Sequence, residues 1–189
     1  MVIITQSKPY EEVKEMLKDF KKLTIIGCQD CTAICQTGGS EQVKEMAEKL
    51  TAEGHEIVGT LMTQNACDAR VVKRDIKFIE DELGQADAIL SMACGLGSQD
   101  IAKLTKDLGK KVIPANNTLF MGQTERLGVY YNLCIGCDNC VLYENDMICP
   151  VVIPMVCKEC GRTLVYDAKY CDQCGSQKLE KGEAKKIEA

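Results

Sequence analysis

The side chains of this 189-residue chain whose type and spacing could do chemistry are its 13 cysteines. They fall into three groups and two singles: Cys28, Cys31 and Cys35; Cys67; Cys94; Cys134, Cys137, Cys140 and Cys149; and Cys157, Cys160, Cys171 and Cys174. Thiolates are soft ligands that select zinc or iron–sulfur clusters over hard cations. An odd count, in a chain long enough to bury its own core, argues against a disulfide scaffold. With one histidine, a His-rich catalytic zinc site is excluded, and so is a His-based triad unless His55 serves. His55 sits beside Gly54 at the start of an apolar run and reads as a solvated or core-edge residue.

Cys157-x2-Cys160-Gly161 and Cys171-x2-Cys174-Gly175 are two knuckles, each followed by a glycine that can take positive φ. Residues 162–170 can form a short hairpin between them. This pattern reads as a closed, four-thiolate zinc ribbon, with a rubredoxin-type iron site as the alternative. So small a module folds only with its metal. Cys134-x2-Cys137-x2-Cys140, then Cys149-Pro150, resembles the bacterial ferredoxin run with its last gap lengthened. Four thiolates also suit zinc, but consecutive two-residue gaps favour a [4Fe–4S] cluster. In two-cluster ferredoxins the Cys-Pro cysteine serves the other cluster, so Cys149 is open to either set.

Cys28-x2-Cys31-x3-Cys35 places three thiolates in one loop, where a first cluster needs four. Cys67 and Cys94 compete for the remaining position, and spacing does not choose between them. A redox CxxC dithiol is the alternative, weakened by the third cysteine. Gly38 and Gly39 read either as donors of backbone amides to sulfide or as a simple turn into a helix. Cys94-Gly-Leu-Gly-Ser98 is an incomplete dinucleotide-loop fragment behind the wrong strand, and reads better as a turn making room for a cluster.

Something must bring these loops together. Helical spacing of Tyr10, Val13, Met16, Leu17 and Phe20 predicts a helix over 9–20. Strands are predicted over 23–26, 56–62, 87–93 and 111–115. Helices are predicted from Ser40, a plausible cap, to near Gly54, over 72–83, and over 101–108. Strands alternating with helices indicate an α/β fold with a Rossmann-like parallel sheet. In such a sheet, ligands bind beyond the carboxyl ends of the strands, which is where Cys28, Cys67 and Cys94 fall. From about 119 the pattern dissolves into loop-like sequence. The expected organisation is an α/β cluster-binding domain over 1–126, a ferredoxin-like segment over 127–154, a zinc ribbon over 155–177 and a frayed, flexible charged tail over 178–189.

The formal net charge of −5 argues against nucleic-acid binding, and no aromatic or basic patch accompanies the knuckles. No apolar stretch approaches transmembrane length. The N-terminal residues lack a basic flank and a long apolar run, so a cytoplasmic protein with reduced thiols is expected.

Taken in order, Gly27-Cys-Gln-Asp-Cys-Thr-Ala-Ile-Cys-Gln-Thr-Gly-Gly39, Cys67-Asp-Ala-Arg70, Ser91-Met-Ala-Cys-Gly-Leu-Gly-Ser-Gln99, Asn116-Asn-Thr118, Cys134-Ile-Gly-Cys-Asp-Asn-Cys-Val-Leu142 and Ile148-Cys-Pro150 resemble one family. It is the iron–sulfur small subunit of acetogen-type methylenetetrahydrofolate reductase, also described as the reductase C-terminal-like family. The resemblance spans roughly residues 5–152. It implies two [4Fe–4S] clusters on Cys28, Cys31, Cys35, Cys67, Cys94, Cys134, Cys137, Cys140 and Cys149. It implies a flavoprotein partner similar to the reductase subunit, with room for further redox subunits. The small subunit would relay electrons to or from the flavin in one-carbon metabolism and hold no catalytic residue of its own. The chain departs from the family after Pro150, where the zinc-ribbon module and its one Zn2+ replace a glycine-rich segment. Two other readings are an open-site catalytic cluster with Cys67 and Cys94 both free, and a zinc-ribbon adaptor of another flavin-dependent complex.

Overall fold

The computed structural model describes residues 2–137, 140–145, 147–164, 168–183 and 186–188. The chain divides into two compact units, residues 3–119 and residues 1–2 with 120–189.

The first unit runs β1 (Val2–Ser7), α1 (Tyr10–Leu17), β2 (Lys22–Cys28), α2 (Cys31–Ile34), α3 (Ser40–Ala52), β3 (Glu56–Thr63), α4 (Ala69–Asp75), α5 (Glu80–Gln85), β4 (Ala88–Met92), α6 (Gly95–Leu104) and β5 (Lys111–Pro114). Its sheet is parallel throughout, in the order β3-β2-β4-β5. The two central strands are covered on both faces, which is why they read as continuous apolar runs rather than alternating ones. Leu23, Ile25, Ala88 and Leu90 face one apolar cluster with Val13, Leu17, Val43 and Leu50 of α1 and α3. Ile26, Ile89 and Ala93 face the other, with Val72, Leu83 and Ile101 from α4, α5 and α6. Fully burying such a side chain contributes about 1.5–3 kcal/mol, so this three-layer packing carries the unit's stability.

Two departures from the sequence reading follow from local geometry. The helix expected over 72–83 is two helices joined by a 3-10 turn at Ile76–Ile79, which turns Ile79 and Leu83 into the core. Helix α3 begins at Ser40, but its cap is Gly39, whose backbone N–H donates to the Gln42 side chain at 3.1 Å.

The second unit contains a hairpin that the sequence reading takes for loop. It consists of β6 (Asn116–Arg126), whose first residues belong to the first unit, and β7 (Val129–Cys134), paired antiparallel. The division of the chain thus falls within β6, between residues 119 and 120. Beyond it lie β8 (Met155–Cys157), β9 (Thr163–Leu164), β10 (Leu179–Lys181) and β11 (Lys186–Glu188). The middle of the hairpin expected between the knuckles, 165–167, lies outside the described residues, and β9 pairs back onto β8. The tail expected to be frayed is paired instead: β10 joins β8 and β11 joins β7. Ladder hydrogen bonds need no apolar run, so mixed charge did not reveal these strands.

One close approach orders the sheet's carboxyl edge. The Gly38 carbonyl accepts from the Cys28 N–H at 3.0 Å, and a Cβ at Gly38 would lie 1.7 Å from the Met92 carbonyl oxygen. Gly38→Ala is expected to cost at least about 3 kcal/mol. Gly84→Ala, where an added Cβ meets nothing within 4 Å, is expected to stabilise by about 0.5–1 kcal/mol. Anaerobic urea unfolding followed by circular dichroism checks both, and an unchanged midpoint for Gly38→Ala would contradict the packing.

Candidate metal centres

The tightest gathering of ligands is at the knuckles. The sulfurs of Cys157, Cys160, Cys171 and Cys174 all lie within 4.8 Å of one another, with Cys157–Cys174 and Cys160–Cys171 both at 3.6 Å. It is the one such set of potential ligands among the described residues. Four thiolates about 2.3 Å from a tetrahedral ion stand about 3.8 Å apart, so the donor set fits one metal ion.

The two knuckles are built alike. Gly161 N–H donates to the Cys157 carbonyl and Gly175 N–H to the Cys171 carbonyl, each at 2.9 Å. The Cys157 and Cys171 N–H groups in turn donate to the Arg162 and Ser176 carbonyls. Gly161 and Gly175 have φ of +72° and +73° with open space around them, so it is the left-handed turn that requires glycine there. Arg162 forks onto Asp172 at 2.6 and 2.9 Å, and Lys178 bonds Glu159 at 2.6 Å, tying one knuckle to the other. Backbone N–H groups of Cys160 and Glu159 bring the Cys157 thiol down to about 7, and those of Cys174 and Gln173 lower Cys171. The hydrogen bonds of each knuckle thus favour the thiolate form of its first sulfur.

The run at 134–149 forms a different kind of site. Cys134, Cys137, Cys140 and Cys149 together line a cavity of about 270 Å³, with Leu133, Gly136, Val141 and Leu142 as the rest of its wall. The Gly136 N–H donates to the Cys134 sulfur at 3.3 Å. The long gap before Cys149 is folded up by a 3-10 turn at Tyr143–Asn145. Asn145 bonds the Val141 carbonyl through its side chain at 2.8 Å, and the Met147 N–H returns to the Leu142 carbonyl at 2.8 Å. The turn forces Met147 to φ +63° and delivers Cys149 to the same cavity as the other three. Asp138, Asn139 and Asp146 lie outside the described residues.

At the edge of the parallel sheet, Cys28 ends β2, Cys31 opens α2, Cys35 follows it and Cys94 caps α6. These four are buried, at 6–8% exposure, whereas Cys67 is exposed. Burial pushes the Cys31 thiol up, with Asp30, Cys94 and Cys28 adding to it. Desolvation, then Cys94 and Cys28, raises Cys67. The Cys28 sulfur accepts from the Ala66 N–H at 3.5 Å. The five thiols therefore share one edge, but not one tight ligand set of the kind seen at the knuckles. Gly38 and Gly39 do not offer their amides to a cluster: these bond the Thr32 carbonyl and the Gln42 side chain. An added Cβ at Gly97 would lie 2.6 Å from Ala66 Cβ, so that glycine serves packing and not a dinucleotide. His55 holds the Phe20 carbonyl through Nδ1 at 2.9 Å, a structural role.

Comparison with known proteins gives one match to a family model, described as methylene-tetrahydrofolate reductase C terminal, over residues 113–162. The match takes in the whole 134–149 run and the first knuckle, and does not reach the sheet-edge cysteines. No curated protein matches the chain. Among solved structures, a LacI family transcriptional regulator from Arthrobacter sp. FB24 in complex with lactose is similar at 14% identity and a TM-score of 0.39. The alignment covers 55% of this chain and 35% of that one, so the chain spans about a third of the regulator's length. What stands is a Rossmann-like parallel sheet, a C-terminal cysteine cluster able to hold a metal, and a C-terminal stretch related to the reductase family. Among the described residues no helix is long and apolar enough to cross a membrane.

The knuckles lead to a direct expectation. Cys171→Ser, or treatment with a strong chelator, should remove one metal ion per chain and make the segment around 155–181 cleavable by protease. The helices of the first unit should keep their far-ultraviolet signal. Metal affinity should fall as pH is lowered, because protons compete for the thiolates. Metal analysis with limited proteolysis checks this.

Proposed function

We propose that this protein is a non-catalytic iron–sulfur electron-transfer subunit of an oxidoreductase complex. In this reading two [4Fe–4S] clusters and one zinc ion serve a flavoprotein partner resembling methylenetetrahydrofolate reductase. The observation that carries the reading is the convergence of Cys134, Cys137, Cys140 and Cys149 on one cavity, inside the stretch that matches the reductase family.

A bound cluster would supply one-electron redox chemistry. The chain's own residues account for the rest. Four thiolates at 134, 137, 140 and 149 match the ligand number of a cubane. Leu133, Val141 and Leu142 keep the wall of that cavity apolar, and the Gly136 amide lends a hydrogen bond to a ligand sulfur; burial and such bonds are what tune a cluster's potential. The first cluster belongs to the sheet-edge cysteines Cys28, Cys31 and Cys35 with a fourth from Cys67 or Cys94. Zinc in the knuckles is structural: its four positions are filled by protein thiolates, leaving none open for substrate.

Anaerobic purification should yield about eight irons and one zinc per chain. Cys137→Ser should remove about four of the irons while zinc is retained. The reduced chain should pass electrons to a flavoprotein reductase of the same source, read by flavin bleaching. A chain free of iron would overturn the proposal.

A further inference from the structure

The segment Asn116-Asn-Thr118 has no role in the reading so far, yet two of its three side chains grip the backbone around Cys94. Asn116 is 5% exposed, and its amide nitrogen donates to the Met92 carbonyl at 2.9 Å and the Ala93 carbonyl at 3.4 Å. Its own carbonyl oxygen is buried without a partner among the described residues. Leaving such an atom unsatisfied costs about 1–3 kcal/mol, so the side chain is held there for its donors. Thr118 acts on the other side of the cysteine: its hydroxyl oxygen accepts from the Gly95 N–H at 2.7 Å. Ser91 completes the grip, with its hydroxyl bonded to Ser98 at 2.9 Å and accepting from the Ala93 N–H at 3.4 Å. The residues flanking Cys94 on both sides are therefore fixed by side chains from outside the turn, and Cys94 itself is 6% exposed.

The loop of Cys67 differs in burial. Asn65 bonds Asp30 at 2.9 Å and Asp68 caps α4 through the Arg70 N–H at 3.0 Å, so the residues around Cys67 are anchored. Those anchors leave the cysteine exposed. Cys28, Cys31 and Cys35 are buried to the same degree as Cys94.

We propose that Asn116 and Thr118 form a positioning clip that sets Cys94 as the fourth ligand of the sheet-edge cluster, leaving Cys67 a nearby non-ligand. This rests on the iron–sulfur reading above. Thiolate ligands must be held in place before the metal arrives, since misplacement of a ligand by its supporting shell loosens a site. Cys94 also stands at the N-cap position of α6, so the start of that helix fixes its backbone.

The test uses the full chain in a Cys134→Ser/Cys137→Ser background, so that only the sheet-edge cluster is seen. Cys67→Ser should keep the roughly four irons of that cluster and its paramagnetic resonance spectrum. Cys94→Ser should lose the cluster or convert it to a three-iron form. Thr118→Val should alter the spectrum and the reduction potential, and Thr118→Ser, which keeps the acceptor oxygen, should restore both. Zinc content and circular dichroism confirm that each variant is folded. Retention of the cluster by Cys94→Ser with loss in Cys67→Ser would overturn the assignment, as would a Thr118→Val chain with an unchanged spectrum and potential. Wild-type protein carrying only the iron of the 134–149 site would remove the sheet-edge cluster from the reading while leaving the C-terminal one intact.

Discussion

The carboxyl edge of the parallel sheet depends on the close approach of Gly38 to the Met92 carbonyl oxygen, which leaves no room for a side chain at 38. With no side chain at 38, the loop after β2 lies directly on the end of β4, while the Gly38 carbonyl closes back on the Cys28 N–H. The order β3-β2-β4-β5 makes β2 and β4 neighbours although β3 lies between them in the chain, so connections leave them to opposite sides. Open α/β sheets bind ligands at such a switch point. Cys28 and Cys94 are the residues that stand there.

The architecture of the first unit was legible because buried parallel strands announce themselves. Leu23 to Ile26 and Ala88 to Met92 are short apolar runs, and the helices between them carry apolar residues at helical spacing. What was not legible depended on distant partners. Asn116 and Thr118 are polar residues after a strand; nothing in their own neighbourhood says that they bond backbone more than 20 residues earlier, at separations of 24 and 23. Cys67 and Cys94 look alike in sequence, each behind an alanine, and differ only once the fold buries one and exposes the other. The hairpin of β6 and β7 was obscured because its burial does not alternate cleanly, with register shifts near Gly122 and Arg126. At the knuckles the opposite holds: ligand spacing and the glycines at 161 and 175 state the local geometry almost completely, because the turn is short and each hydrogen bond closes within a few residues.

The two units thus arrange their thiols by different means. At the sheet edge the cysteines stand where a packed core places the strand ends, and their sulfurs meet carbonyls and amides of that core, as Cys35 does the Ile3 carbonyl and Cys28 the Ala66 amide. In the second unit the cysteines are carried by turns with little apolar packing beneath them, and the sulfurs are drawn together by hydrogen bonds of the turns themselves. A metal contributes more to folding where the polypeptide contributes less.

The difference in exposure between the two sets also bears on how the protein meets air. Oxidation of cysteine follows thiolate character and access. Cys134, Cys137 and Cys140 stand open at a cavity mouth, whereas Cys28, Cys31, Cys35 and Cys94 are shielded to within 6–8%. Oxidation of free thiols is therefore expected first among the exposed cysteines of the C-terminal unit. The thiols of the sheet edge are the protected set, and those of the turn-built cavity the vulnerable one.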